Sequence, residues 1–149
     1  MKSLFEAEAY SEIKQRLNSI NPESEQQWGK MQVDQMVWHC KKPLELSMEK
    51  TTMEPPNFFM KLLFSFVKPS IYNNSPWKKG LPTTKEFMAT DSKDFEVEKV
   101  ALENLIDEFH ERKSQTHWNP HPAFGKFTAA QWGQMQYKHL DHHFRQFGV

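Results

Sequence analysis

The chain has 149 residues, with 19 Lys plus Arg against 19 Asp plus Glu, and seven histidines. That length predicts a single domain over residues 1–149, able to bury a core without metal or disulfide staples. A net charge of zero argues against a nucleic-acid protein and against a polybasic membrane anchor.

The lone cysteine, Cys40, permits no intrachain disulfide and fits a reducing compartment. The N-terminal residues Met1 to Glu6 lack the apolar run of a signal peptide. The longest apolar stretch, Phe58 to Val67, is broken by Lys61 and too short to span a bilayer. A cytoplasmic, soluble protein is expected, with neither nucleic acid nor membrane as partner.

A first helix is expected from about Leu4 to Ile20. Ser3 and Glu6 have capping-box spacing, and Phe5, Ala9, Ile13, Leu17 and Ile20 fall on one stripe. Asn21-Pro22 ends it. A second helix starts near Gln32 and turns Val33, Met36, His39, Cys40, Pro43 and Leu44 to one side. Pro43 removes the N–H that would bond the carbonyl of His39, so a kink is expected there.

Pro55-Pro56 opens a short helix whose apolar face is Phe58, Phe59, Leu62, Leu63 and Phe66. Pro69 is expected to stop it, and its face to cover the bundle, with a pocket lid or a dimer surface as the alternatives. Residues 69–93 show no period and read as a long loop. The next long helix should run from Asp94 to Arg112, burying Phe95, Leu102, Leu105, Ile106 and Phe109. After a proline-broken connection at residues 117–125, the last helix opens on a Thr128/Gln131 capping box with Phe127 and Trp132 as its staple. It runs to about Gln146. The fold class expected is all-α: a four-helix bundle with an extra short helix and a long loop between its second and third helices.

The last helix carries Tyr137-Lys138-His139-Leu140-Asp141-His142-His143. Residues four apart share a face, so His139 and His143 can aim two imidazoles at one ion. Both follow the apolar period set by Trp132, Met135 and Phe147, and His39 holds the same core-facing position on the second helix. Buried imidazoles without partners cost stability, and a shared divalent metal would satisfy all three. His142 lies about 60° from His139 around the helix and Asp141 about 160° away, which leaves both off that face. Three histidines leave coordination positions open, as in catalytic rather than structural sites. Zinc, nickel, iron and copper all accept imidazole, with zinc or nickel most expected here. His121, just before the last helix, is a candidate general base. Gln35, one turn before His39, reads as a rim position.

The single histidine on the second helix with His-x-x-x-His on the last resembles the DinB/YfiT-like superfamily of metalloenzymes. The likeness is closest to a bacterial branch of unknown function. It is carried by Trp28-Gly29-Lys30-Met31, by Gln35-Met36-Val37-Trp38-His39-Cys40, by His121-Pro122-Ala123-Phe124-Gly125-Lys126-Phe127-Thr128, and by Tyr137 through Gly148. This resemblance implies an up-down-down-up bundle with the metal near one end of the core, held by His39, His139 and His143. It implies a homodimer. It also implies kinship with transferases and isomerases that use low-molecular-weight thiols such as mycothiol or bacillithiol.

The function expected is therefore a metal-dependent thiol (S-)transferase acting on small electrophiles. The alternatives are a metal-dependent hydrolase, or a non-catalytic dimeric binding module with a structural metal or none.

Overall fold

The computed structural model describes residues 2–149. Among these residues there are five α-helices and no β-strand: α1 (Ala7–Ser19), α2 (Val33–Ser47), α3 (Phe58–Ile71), α4 (Phe95–Glu111) and α5 (Ala129–Gln146). The chain is all-α, as expected. No helix among the described residues is long and apolar enough to cross a membrane.

Polar contacts between helices fix their directions. Tyr10 and Lys14 of α1 reach Asp107 at 2.8 and 2.6 Å, and Lys14 reaches Glu103 at 2.8 Å. Further along, Lys99 donates to the carbonyl of Ile20 at 2.6 Å, so α1 and α4 are antiparallel. The pairs Glu12–Tyr137 (3.0 Å) and Arg16–Asp141 (2.8 Å) make α1 and α5 parallel. Lys41 pairs with Glu98 and Lys50 with Glu108, which makes α2 parallel to α4. Thus α1 and α5 run one way, and α2 and α4 the other. Each of these four helices packs on two others, in the cyclic order α1, α5, α2, α4. Their shared core contains Ile13, Leu17, Met36, Leu44, Leu102, Ile106, Phe109, Leu140 and Phe144. Each such aliphatic side chain contributes about 1.5–3 kcal/mol through burial.

The helix starts follow the cap chemistry where that chemistry is local. The Asp94 side chain accepts the Val97 N–H at 3.1 Å and opens α4. The two bonds of the Thr128/Gln131 box are 3.2 and 2.9 Å, and the Phe127 and Trp132 rings meet edge-on at 5.1 Å. Helix α2 continues through Pro43 to Ser47.

Helix α1 departs from expectation, starting at Ala7 rather than Leu4. The Ser3 hydroxyl accepts the Phe5 N–H instead of a helix N–H, and the Leu4 N–H donates to the Gly133 carbonyl at 3.0 Å. The segment before α1 thus lies directly on α5. A Cβ on Gly133 would sit 2.2 Å from Ser3 Oγ and 2.6 Å from a Phe5 ring carbon. Glycine inside a helix ordinarily costs about 1 kcal/mol relative to alanine, and here close approach requires it. Gly133→Ala is therefore expected to destabilise the protein by about 1–3 kcal/mol despite its better helix propensity. Urea unfolding of the two proteins measures this.

Helix α3 departs further. It runs past Pro69 to Ile71, although Pro69 has no N–H to give the Ser65 carbonyl. It buries none of its residues, so the expected covering role fails: Phe58, Phe59, Leu62, Leu63 and Phe66 face outward. Its inward contacts include a Phe64–Phe124 ring pair at 5.4 Å, Lys68 on the Lys126 carbonyl, the Ser70 carbonyl under Lys138, and Ile71 against the core. The expected loop after α3 contains a single 3-10 turn, Lys85–Phe87, whose Phe87 side chain is buried with Met53 and Ala123.

Candidate metal centre

Helix α2 supplies His39 and α5 supplies His139 and His143, all three buried. The α-helical repeat stacks His139 and His143 one turn apart. The antiparallel packing of α2 brings His39 opposite them. Their ring centroids form a near-equilateral triangle with sides of 4.7, 4.7 and 5.0 Å. One nitrogen from each ring lies within 4.8 Å of the others, a group able to hold a metal ion. His39 Nε2 and His139 Nε2 are 3.0 Å apart. In tetrahedral zinc coordination, with bonds of 2.0–2.1 Å, two ligand nitrogens stand about 3.3 Å apart. The pair therefore needs only a small opening to take an ion.

Two of the three rings are oriented by groups behind them. His39 Nδ1–H donates to the Phe87 carbonyl at 2.8 Å, which leaves Nε2 as the free lone pair. Behind His143 stands Gln146, whose amide Nε2 donates to the Trp28 carbonyl at 2.8 Å. That bond turns Oε1 toward His143, whose Nδ1–H donates to it at 2.9 Å, and again Nε2 is left free. Gln146 is itself held from the backbone, since its carbonyl accepts the Gln27 N–H at 2.7 Å. Gly29 adopts φ +85°, and a Cβ there would come within 2.7 Å of Gln146 Nε2, so the turn at residues 27–29 closes on Gln146 only with glycine. His139 has no such partner: its Nδ1 is buried and unbonded.

The electrostatics keep these rings neutral. Burial lowers the pKa of His39, with the Phe87 carbonyl partly opposing. Burial and then repulsion from His39 push His143 down to about 3. Burial, then His143 and His39, hold His139 well below the free imidazole value. Neutral imidazole is the form that ligates metal, so protons compete weakly for these nitrogens. No carboxylate belongs to the group. An ion held by it would keep its full double positive charge.

The other residues singled out from the sequence are outside this group, the His142 ring coming closest, edge-on to His143 at 5.1 Å. His142 is half-buried, with its ring 5.8 Å from Trp77 and 6.0 Å from Trp28. Asp141 pairs with Arg16 at the α1–α5 contact. The Cys40 thiol is buried and its pKa pushed far up by burial, with Sγ 3.6 Å from Met36 Sδ, so it is a packing group. Gln35 caps α2 through the Gln32 N–H and donates to the Asp91 carbonyl.

The candidate base, His121, is not brought to the three histidines. Its ring packs on Phe124, Phe127 and Trp132, and Trp132 is seven residues, or about 10 Å of helix, before His139. Its Nδ1 accepts the N–H groups of Ala123 and Phe124 at 3.0 and 3.3 Å, and its backbone pairs with Gly125 in both directions. Burial lowers its pKa to about 4. His121 shapes the turn that leads into α5.

Sequence reasoning missed the roles of Phe87, Gln146 and Trp77, and quoted Trp28 only for the resemblance. Only Gln146 left a signal, three residues after His143 on the same face. Trp77 sets its ring edge-on to His139 at 5.8 Å. Lys138, just before His139, donates to the carbonyls of Ser70 and Asn73 and to Asn73 Oδ1, which ties the Trp77 segment to α5.

Fold and cluster together define an all-α protein with a buried three-histidine centre. The chain belongs to the family described as "Protein of unknown function (DUF1569)", which it matches over residues 3–148. No curated protein and no solved structure matches it.

Proposed function

We propose that this protein is a divalent-metal enzyme of the DinB/YfiT-like type, a four-helix bundle whose ion is held by His39, His139 and His143 and whose reaction is thiol transfer to a small electrophile. The observation that carries the metal assignment is the convergence of three neutral, buried imidazoles, two of them with the coordinating nitrogen already selected by a carbonyl or amide partner. The up, down, down, up order of α1, α2, α4 and α5 supports the superfamily assignment. The unpartnered Nδ1 of His139 adds to the case, since a polar atom is rarely buried unbonded without a functional reason. Zinc or nickel suits the donor set.

Bound there, a divalent ion would supply a Lewis acid with open positions for a water or a thiol sulfur. The protein's own contribution is positioning and exclusion of solvent. Phe87 and Gln146 hold two rings in the ligating tautomer, and Trp77 walls off His139. With His121 occupied as a turn acceptor elsewhere, the hydrolase alternative lacks the base first considered for it. An ion held by His39, His139 and His143 would hold a thiol as its thiolate, with the proton released to solvent, so thiol transfer to the electrophile needs no protein base.

Turnover assays with several low-molecular-weight thiols and small electrophiles, on metal-loaded and metal-stripped protein, test this reading. Turnover is expected only with metal. Equal rates after stripping would sink the metal-dependent mechanism. A metal-loaded protein that turns over no thiol substrate would leave the ion a structural one.

Gln146→Leu is expected to weaken metal binding roughly 10–100-fold while the fold persists, because it frees His143 Nδ1 and the Trp28 carbonyl but keeps the backbone bond from Gln27 to residue 146. Isothermal titration of metal into both proteins measures the ratio.

A further inference from the structure

We propose that α3 is a docking surface for an anionic membrane, on which the helix lies flat with its phenylalanines in the headgroup–acyl boundary. Phe58, Phe59, Leu62, Leu63 and Phe66 recur at helical spacing and form the outward arc of α3, with Phe59 80% and Phe66 76% exposed. Lys61, Ser65 and Lys68 share one flank of that arc. Every other long helix turns its apolar side to the core; this one turns it to the outside. A contiguous apolar face of this kind marks an interaction site.

Charge identifies the occupant. Residues 55–85 contain five lysines, Lys61, Lys68, Lys78, Lys79 and Lys85, and no Asp or Glu. The chain as a whole is neutral, so the rest of it carries a matching acidic excess. The balanced total that argues against a membrane partner conceals this segregation. A second copy docking through the same face would set α3 lysines against α3 lysines with no acid between them, since a two-fold interface pairs a patch with itself. An anionic lipid surface answers both halves of the pattern: apolar rings enter the interface, and the exposed Lys61 carries its ammonium group from the flank to the phosphates, while Lys68 stays on the Lys126 carbonyl. At 14 residues α3 is about 21 Å long, fit to lie on a bilayer and too short to cross it.

Co-sedimentation of the full chain with vesicles tests the proposal. One set is pure phosphatidylcholine and the other one-third phosphatidylglycerol. Binding is expected to be at least about tenfold tighter to the anionic vesicles and to fall at high salt. Phe59→Ser/Phe66→Ser is expected to abolish it while leaving the far-UV spectrum and melting temperature unchanged, because both side chains are exposed. Equal binding to both vesicle types, or unchanged binding by the double variant, overturns the proposal. A parent chain that stays in the supernatant overturns it too. If that chain is then a dimer by light scattering, and the double variant a monomer, a second copy is the occupant of α3.

Discussion

Zinc or nickel at a hundredfold excess over its dissociation constant is expected to raise the unfolding free energy of metal-free protein by about 2.7 kcal/mol, and His139→Leu to erase that gain entirely. The same substitution should leave metal-free stability within about 1 kcal/mol of the parent. Two effects oppose in the metal-free protein. Leucine removes the buried, unbonded Nδ1 of His139, which is favourable; it also takes away the 3.0 Å partner of His39 Nε2, which is not. A packing histidine would behave otherwise, losing stability on replacement with no metal-dependent term to lose. Loss of an orienting group costs 10–100-fold in metal affinity, so loss of a ligand should cost roughly a thousandfold or more. Denaturant titrations of parent and variant, each with and without metal, give all four values.

Acid should destabilise the metal-free protein well above the carboxylate range. His121 has a folded-state pKa near 4, and His143 one near 3. Burial is the main cause in each. Both values lie below the unfolded value of 6.5, so between them the unfolded chain binds protons that the native protein does not. Stability from these groups is complete above pH 6.5 and is lost as pH falls, down to the folded-state pKa of each. By pH 5 the loss is about 2 kcal/mol for His121 alone. His121→Asn isolates that share, because Asn Oδ1 can take the Ala123 and Phe124 N–H groups in place of Nδ1. The variant is expected to be less stable than the parent at pH 7, from the lost ring, and to close that gap by about 2 kcal/mol at pH 5. A gap that stays constant between the two pH values would mean that His121 is protonated without cost in the native protein.

Much of the centre was legible because it follows helix periodicity. His139 and His143 lie four apart on a stripe already marked by Trp132 and Met135, and His39 occupies the same kind of stripe on α2. The starts of α4 and α5 were legible because Asp94 and Thr128 cap their helices through neighbours three residues away. What failed was non-local. The start of α1 moved because Leu4 bonds to the backbone of Gly133, far along the chain. Phe87 serves the site through a carbonyl oxygen, and every residue has one, so no side-chain pattern announces it. Trp77 reaches His139 from a segment without period. The apolar stripe of α3 was visible, but a stripe does not say which way it faces; Phe59 and Phe66 point away from the core. His121 looked catalytic by nearness in sequence to α5, yet it joins α5 at the end remote from His139.

Elemental analysis of protein purified without a metal-affinity tag tests the central assignment most directly. One divalent ion per chain is predicted, absent from His139→Leu prepared in the same way. Protein that carries no metal, and takes up none when zinc or nickel is titrated in, would contradict the assignment of His39, His139 and His143 as ligands.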